Sequence, residues 1–115
     1  MNTPHVSEQY RCTNCEANFS FFEVDQNWKC PTCAKPISIK IEINGDFHSA
    51  YRIHPQELEV GTILTMDKVH IHEVLNVQDQ KNGTYRVALK EYGVRTYKHD
   101  DWIFEIDGIW ADYGY

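Results

Sequence analysis

The sequence lacks both a long apolar run and a basic, apolar leader at its N-terminus. No segment approaches the roughly eighteen apolar residues that a membrane-spanning helix requires. The opening residues, MNTPHVSEQ, have neither the positive patch nor the apolar stretch of a secretory signal peptide. We therefore expect a cytoplasmic protein without membrane association, in a compartment where thiols stay reduced.

Positive charge is also scarce. The chain of 115 residues has 11 Lys and Arg against 17 Asp and Glu, a formal net charge of -6. Residues 46–115 carry seven basic and twelve acidic side chains, which gives -5 for that part alone. No basic stripe is present of the kind that neutralises a phosphate backbone. The charge balance makes nucleic-acid binding a secondary hypothesis.

Catalytic motifs are absent as well. The sequence contains no G-x-S-x-G, no H-E-x-x-H and no phosphate-binding loop. Its four cysteines all fall in pairs, so none is left over as a lone nucleophile. We expect no enzymatic activity, no catalytic residues and no organic cofactor.

The four cysteines are the most informative residues that are present. Cys12 and Cys15 form one C-x2-C pair and Cys30 and Cys33 form another, with fourteen residues between the pairs. Two residues between cysteines let a tight turn aim both sulfurs at one point, and two such turns complete a tetrahedron. We predict one structural zinc ion bound by these four residues. Two alternatives are a disulfide pair, which suits secreted chains, and an electron-carrying iron site, because iron accepts the same four-sulfur geometry.

We call each C-x2-C turn a knuckle. The segments around the cysteines predict a first knuckle, a hairpin, the second knuckle and then a strand. An aromatic stretch at 18–24 reads as a strand, a turn follows at 25–27, and the second knuckle precedes 36–43. In this last segment isoleucine alternates with polar residues, which predicts a strand with one buried face. The order resembles the zinc-ribbon class of zinc fingers over residues 8–45. Ribbons of this kind usually carry Gly after the second cysteine of each knuckle, where φ is positive, whereas this chain has Glu16 and Ala34. We therefore expect slightly remodelled knuckles.

Residues 46–115 predict a second, small antiparallel β-domain, so the fold class is mostly β. The Asn44-Gly45 pair predicts a hairpin turn into a strand at 47–53. A β-meander follows, with predicted strands at 62–66, 69–77, 84–91, 94–98, 102–106 and 109–113. Residues 58–64, LEVGTIL, resemble the entry of SH3-like barrels, which implies such a barrel over about 56–106.

One predicted strand of the meander carries two further features. The apolar alternation of 69–77 changes phase, which predicts a β-bulge near Glu73. His70 and His72 then share a face of the strand. Two histidines so placed suit either a polar outer face or a second metal site.

The C-terminal segment combines aromatic residues with acids. From Asp100 onward the chain has five acids and no base. We expect 102–106 to be a strand with Trp102, Phe104 and Ile106 facing inward. Exposed aromatics ringed by carboxylates make a good surface for a basic protein partner. The predicted partner-binding residues are the anchors Trp110 and Tyr113 and the steering acids Asp100, Asp101 and Asp112.

Two functions remain open at this point. The first is a non-catalytic zinc-binding interaction protein, an adaptor, regulator or inhibitor that docks on another protein. The second is a nucleic-acid-binding ribbon of a transcription or translation assembly. The ribbon would use the cations Arg11, Lys29, Lys35 and Lys40 with the aromatics Phe19, Phe21, Phe22 and Trp28.

Overall fold

The computed structural model describes residues 8–111, and it is mostly β, with 52% of the residues in strands. No helix among these residues is long and apolar enough to cross a membrane. The strands are β1 (Gln9–Cys12), β2 (Ala17–Phe19), β3 (Ser38–Ile43), β4 (Asp46–Ile53), β5 (Ile63–Thr65), β6 (Ile71–Asp79), β7 (Thr84–Leu89), β8 (Gly93–Lys98) and β9 (Ile103–Ile109). The helical segments are α1 (Phe21–Val24) and a single 3-10 turn at Pro55–Glu57.

The chain divides into two compact units. The first unit comprises residues 8–51 and 107–111 of the described chain, and the second unit is Arg52–Ile106. The sequence analysis placed one boundary between residues 45 and 46, which falls inside the hairpin of β3 and β4. Because five residue pairs from Ile39↔Ala50 to Ile43↔Asp46 join these strands, residues 46–51 belong to the first unit.

The first unit contains the strand order β2-β1-β3-β4, with antiparallel pairing throughout. The isoleucine alternation is confirmed: Ile37, Ile39, Ile41 and Ile43 are all buried, while Glu42 is exposed. The predicted turn at Asn44-Gly45 is present, and both residues have positive φ, as a tight hairpin turn requires. The core of this unit therefore lies against one face of β3.

The predicted strand at 18–24 is wrong beyond Phe19. Residues 21–24 form α1 instead, and the side chain of Glu23 accepts the backbone N–H of Ser20 at 2.9 Å. This bond satisfies an amide at the start of the helix, so local capping outweighs the strand preference of the aromatics. The turn brings Phe21 against buried Trp28, with ring centroids 5.8 Å apart.

The second unit contains the antiparallel strand order β9-β5-β6-β7-β8, so β5 to β8 follow the predicted meander, whereas β9 pairs with β5 instead of β8. The predicted inward face of 102–106 is wrong, because Ile103 is buried while Trp102 is 41% exposed. A register shift between Val74 and Asn76 leaves Leu75 as the extra, exposed residue, so the predicted bulge exists, two residues beyond Glu73. The predicted break between strands 102–106 and 109–113, which places a turn at Asp107-Gly108, is wrong, because β9 continues through both residues to Ile109. Gly108 has φ 151, a backbone conformation that would strain any other residue, so glycine allows β9 to remain continuous here.

Candidate metal centre

The four cysteines converge on one point of the first unit. Their sulfur atoms all lie within 4.8 Å of one another. The Sγ atoms of Cys12 and Cys33 are 3.5 Å apart, and those of Cys15 and Cys30 are 3.9 Å apart. Four thiolates about 2.3 Å from a central ion form a tetrahedron with edges of ~3.8 Å. The cluster therefore has the dimensions that hold one metal ion.

Both knuckles are shaped by hydrogen bonds from backbone amides to sulfur or carbonyl oxygen. Cys12 ends β1, and its Sγ accepts the N–H of Cys15 at 3.4 Å. In the second knuckle Cys30 Sγ accepts the N–H of Thr32 at 3.4 Å. The carbonyl of Cys30 also accepts the N–H of Ala34 at 2.9 Å, which closes the turn. These bonds fix the direction in which each sulfur points.

The positions that hold glycine in similar ribbons keep the glycine-like conformation here. Glu16 has φ 53 and Ala34 has φ 63, both in the left-handed region. The expected remodelling of the knuckles does not occur at these two residues, since each accepts the strained conformation. The surrounding hydrogen bonds hold the turn in place despite the Cβ atoms.

The electrostatics of the cluster differ from one sulfur to the next. Burial raises the pKa of the Cys12 thiol. A hydrogen bond with Cys33 is the main cause that raises the pKa of Cys15 to about 12. The backbone N–H of Lys35 is the main cause that lowers the pKa of Cys33 to about 6. The thiols of Cys12 and Cys15 therefore resist ionisation unless a cation compensates their charge.

The sulfur distances also bear on the disulfide alternative. All four cysteines are free. The 3.5 Å between Cys12 Sγ and Cys33 Sγ is far longer than a disulfide bond of about 2.05 Å. The four cysteines are therefore free thiols in this structure, in a cluster that could hold a metal ion.

The structure places the predicted partner-binding residues in different environments. Trp110 is only 9% exposed, so it is not the solvent-facing anchor that the sequence suggested. Its ring lies under the guanidinium of Arg11, and its backbone N–H donates to Phe47 O. Asp100 is exposed, whereas a carboxylate oxygen of Asp101 accepts the N–H of Lys98 at 2.8 Å. Asp112 and Tyr113 lie outside the described residues.

Sequence reasoning missed two exposed apolar residues of the first unit. Ile109 is 82% exposed and Phe47 is 42% exposed. Their backbones lie on neighbouring segments, because the N–H of Trp110, which follows Ile109, donates to Phe47 O. A local pattern gives no signal for this surface, since it depends on pairing between distant segments.

His70 and His72 do not assemble a second cluster of ligands. His70 Nδ1 lies 3.0 Å from Asp67 Oδ2, and His72 Nδ1 lies 3.0 Å from Lys90 O. Among residues 8–111 the cysteine cluster is the one group of three or more such ligands that converges. The polar-face interpretation fits these contacts.

Comparison with known proteins finds no protein-family model, no curated protein and no solved structure that matches this chain.

Proposed function

We propose that this protein is a non-catalytic zinc-binding interaction protein, in which a zinc ribbon supports a surface that docks on a protein partner. The observation that carries the proposal is the convergence of four sulfur atoms within 4.8 Å. Four cysteine ligands fill every position of a tetrahedral zinc site, which leaves none open for water or substrate. Closed sites of this kind stabilise folds, whereas catalytic zinc sites keep a position open.

The residues that would hold the ion are Cys12, Cys15, Cys30 and Cys33. A zinc ion there would compensate the negative charge of the thiolates and would cross-link two turns of a small unit. Iron is the competing ion because it accepts four thiolates equally well. Elemental analysis distinguishes them directly, and an iron-loaded protein would also be coloured.

The docking surface that fits the described residues is centred on Phe47 and Ile109, and we call it the apolar junction. Three exposed acids lie next to these two residues in the sequence or in the strand register: Glu42, Asp46 and Asp107. Glu42 pairs with Phe47 across the β3–β4 hairpin. Apolar residues beside carboxylates suit a protein partner with a basic surface, since opposite charge steers association.

Fewer of the ribbon's cationic and aromatic side chains are accessible for nucleic-acid binding than the sequence suggested. Arg11 and Trp28 are buried, and Lys40 Nζ lies 4.3 Å from the centroid of the Phe47 ring. Lys29, Lys35 and Phe22 remain exposed. The ribbon keeps a small basic and aromatic surface, so protein docking remains the primary proposal.

Site-specific photo-crosslinking tests the docking proposal. A photo-reactive amino acid replaces Ile109 in one variant and exposed Lys81 in a matched control. We expect one discrete covalent adduct from position 109, and none from position 81. Asp46→Asn combined with Asp107→Asn should reduce the adduct without changing the metal content. Equal adducts from both positions, or none from position 109, would remove the apolar junction as a docking surface.

A further inference from the structure

The second unit contains a shallow depression lined by aromatic side chains. Its volume is about 190 Å³, and Tyr97, Trp102 and Phe104 contribute to its walls. Arg95 and Met66 also line it. Arg95 and Tyr97 come from β8, and Phe104 comes from β9. A depression of this size accommodates a planar ring system better than a helix or a folded loop.

Trp102 is held in place while much of its surface stays in solvent. The indole is 41% exposed. His54 stacks on it with ring centroids 3.8 Å apart and an interplanar angle of 26°. His54 is itself oriented, because its Nδ1 lies 3.0 Å from the carbonyl oxygen of Asp101. The exposed indole is therefore pre-oriented for a second stacking partner.

Three cations surround these aromatic rings. The Arg52 guanidinium lies 4.4 Å from the centroid of Phe104, and Lys68 Nζ lies 5.2 Å from the same ring. The Arg95 guanidinium lies 5.1 Å from the Tyr97 ring centroid. An anion that carries a planar ring would match both the aromatic rings and these cationic side chains.

Tyr97 adds a hydrogen-bonding group to the lining. The residue is 5% exposed, and within the described part of the chain its hydroxyl has no hydrogen-bond partner. A buried hydroxyl without a partner is unfavourable by about 1–3 kcal/mol. An acceptor atom of a ligand seated in the depression would satisfy it.

We propose that this depression binds single-stranded nucleic acid, with one base stacked on Trp102 and adjoining phosphates paired with Arg52, Lys68 and Arg95. Each nucleotide supplies a planar ring next to an anion, which is the combination that the lining presents. An acidic peptide need not carry a planar ring next to each of its anions. Duplex ends aside, paired bases are already stacked on each other, so the site should favour a single strand. Base identity should matter little, because every base has a face that stacks.

Tryptophan fluorescence of the metal-loaded full chain provides the test. Trp28 and Trp110 are buried, so a change on titration with a single-stranded oligothymidylate of roughly fifteen nucleotides reports on Trp102. We expect quenching, and an affinity that falls with salt. Three phosphate contacts give an expected slope of about -2 for log K against log salt concentration.

Variants locate the site. Trp102→Ala should weaken binding by about 5- to 150-fold, since stacking on one aromatic ring is worth that much per base. Arg95→Gln should weaken binding and reduce the salt slope by about 0.7. Arg86→Gln is the matched control, because Arg86 is an exposed arginine of β7 outside the depression. If Trp102→Ala fails to fold, Trp102→Phe should retain most of the affinity while Arg95→Gln still carries the test.

Four outcomes would overturn the proposal. The first is no quenching at low salt, and the second is equal affinity for a duplex of the same length. The third is an equal loss of affinity in Arg86→Gln and Arg95→Gln, which would mean diffuse charge attraction. The fourth is a loss in Lys29→Gln and Lys35→Gln without one in Arg95→Gln, which would move the site to the ribbon. Binding of an acidic, tyrosine-containing peptide but not of the oligonucleotide would count as the first outcome.

Discussion

The guanidinium of Arg11 lies 3.5 Å from the centroid of the Trp110 ring, and it also donates a hydrogen bond to the carbonyl oxygen of Ala111. Arg11 immediately precedes Cys12, the first cysteine of the cluster, and both Arg11 and Trp110 are buried. A buried arginine requires compensation for its charge, which the aromatic face and the carbonyl supply here. The contact joins the end of the described chain to the strand that leads into the metal centre.

Trp110→Ala should lower the free energy of unfolding by about 3–5 kcal/mol, because it removes a large buried ring. Urea denaturation at fixed zinc concentration measures the change. Trp102→Ala is the matched control, and since Trp102 is 41% exposed its effect should be clearly smaller. Equal stability of the two variants would mean that Trp110 does not pack as described.

Cys30→Ser should remove the bound metal and unfold residues 10–43, because the ion supplies much of the folding free energy of so small a unit. Structural zinc contributes about 10–16 kcal/mol of apparent binding free energy in zinc-finger peptides. Elemental analysis should give one zinc per chain for the native protein, and amide chemical shifts should collapse over that segment in the variant. Thr13→Ser, an exposed change between two ligands, should alter neither measurement. Native-like shifts in Cys30→Ser would show that the fold needs no metal.

Ala34→Gly should stabilise the metal-loaded protein by about 0.5–1 kcal/mol, since Ala34 has φ 63 and glycine relieves that strain. Ala50→Gly provides the contrast in a regular, buried position of β4. There glycine only adds flexibility to the unfolded chain and removes a packed methyl group, so stability should fall. Chemical denaturation of both variants checks the sign. A loss of stability in Ala34→Gly would contradict the strain.

Asp67 should make the stability of the protein depend on pH. Its Oδ1 accepts the N–H groups of Val69 and His70, each at 2.9 Å, and its Oδ2 lies near the His70 ring. The hydrogen bond from the His70 backbone is the main cause that holds the pKa of Asp67 well below its usual range. Because the pKa of Asp67 is lower in the folded state, its carboxylate stabilises the fold at pH values above the unfolded-state pKa of about 3.9. That contribution is lost as the pH falls through the folded-state pKa.

Asp67→Asn isolates this charge, because the amide keeps an oxygen that accepts the same backbone N–H groups. The variant should be less stable than the native protein at pH 7. The difference should shrink steadily below about pH 4, where the carboxyl of the unfolded chain takes up its proton, until pH falls through the lower folded-state pKa. Thermal unfolding of both proteins across pH 2–7 measures it, and a difference that stays constant with pH would contradict the expected linkage.

Periodic patterns predicted the parts of this fold that depend on near neighbours. The alternation of isoleucine from Ile37 to Ile43 specifies a strand with one buried face, and the structure has it. The spacing of the cysteine pairs likewise predicted that four sulfurs meet. In both cases the signal lies within a few residues, where the geometry of a strand or a tight turn leaves little choice.

Specific contacts that composition does not reveal, one distant and one local, decided the features that sequence reasoning missed. Trp110 lies in an acidic, aromatic segment whose composition suggested an exposed anchor. Its contact with Arg11, about a hundred residues earlier, buries it instead. Aromatic residues at 21 and 22 fit a strand as well as a helix, and the cap by Glu23 settles which forms. At Asp107-Gly108 the local turn signal is overridden because β9 continues through these residues.

The first unit is interrupted in the sequence by the whole of the second, and this has a consequence for biosynthesis. Residues 107–111 emerge from the ribosome roughly 55 residues after Tyr51, a delay of about 3–11 s at usual rates of translation. During that interval the four cysteines are already available, but the strand end that carries Trp110 is not. With the proposed zinc binding, capture of the ion by the nascent chain would precede closure of the unit, because Arg11 lacks its aromatic partner until Trp110 is made.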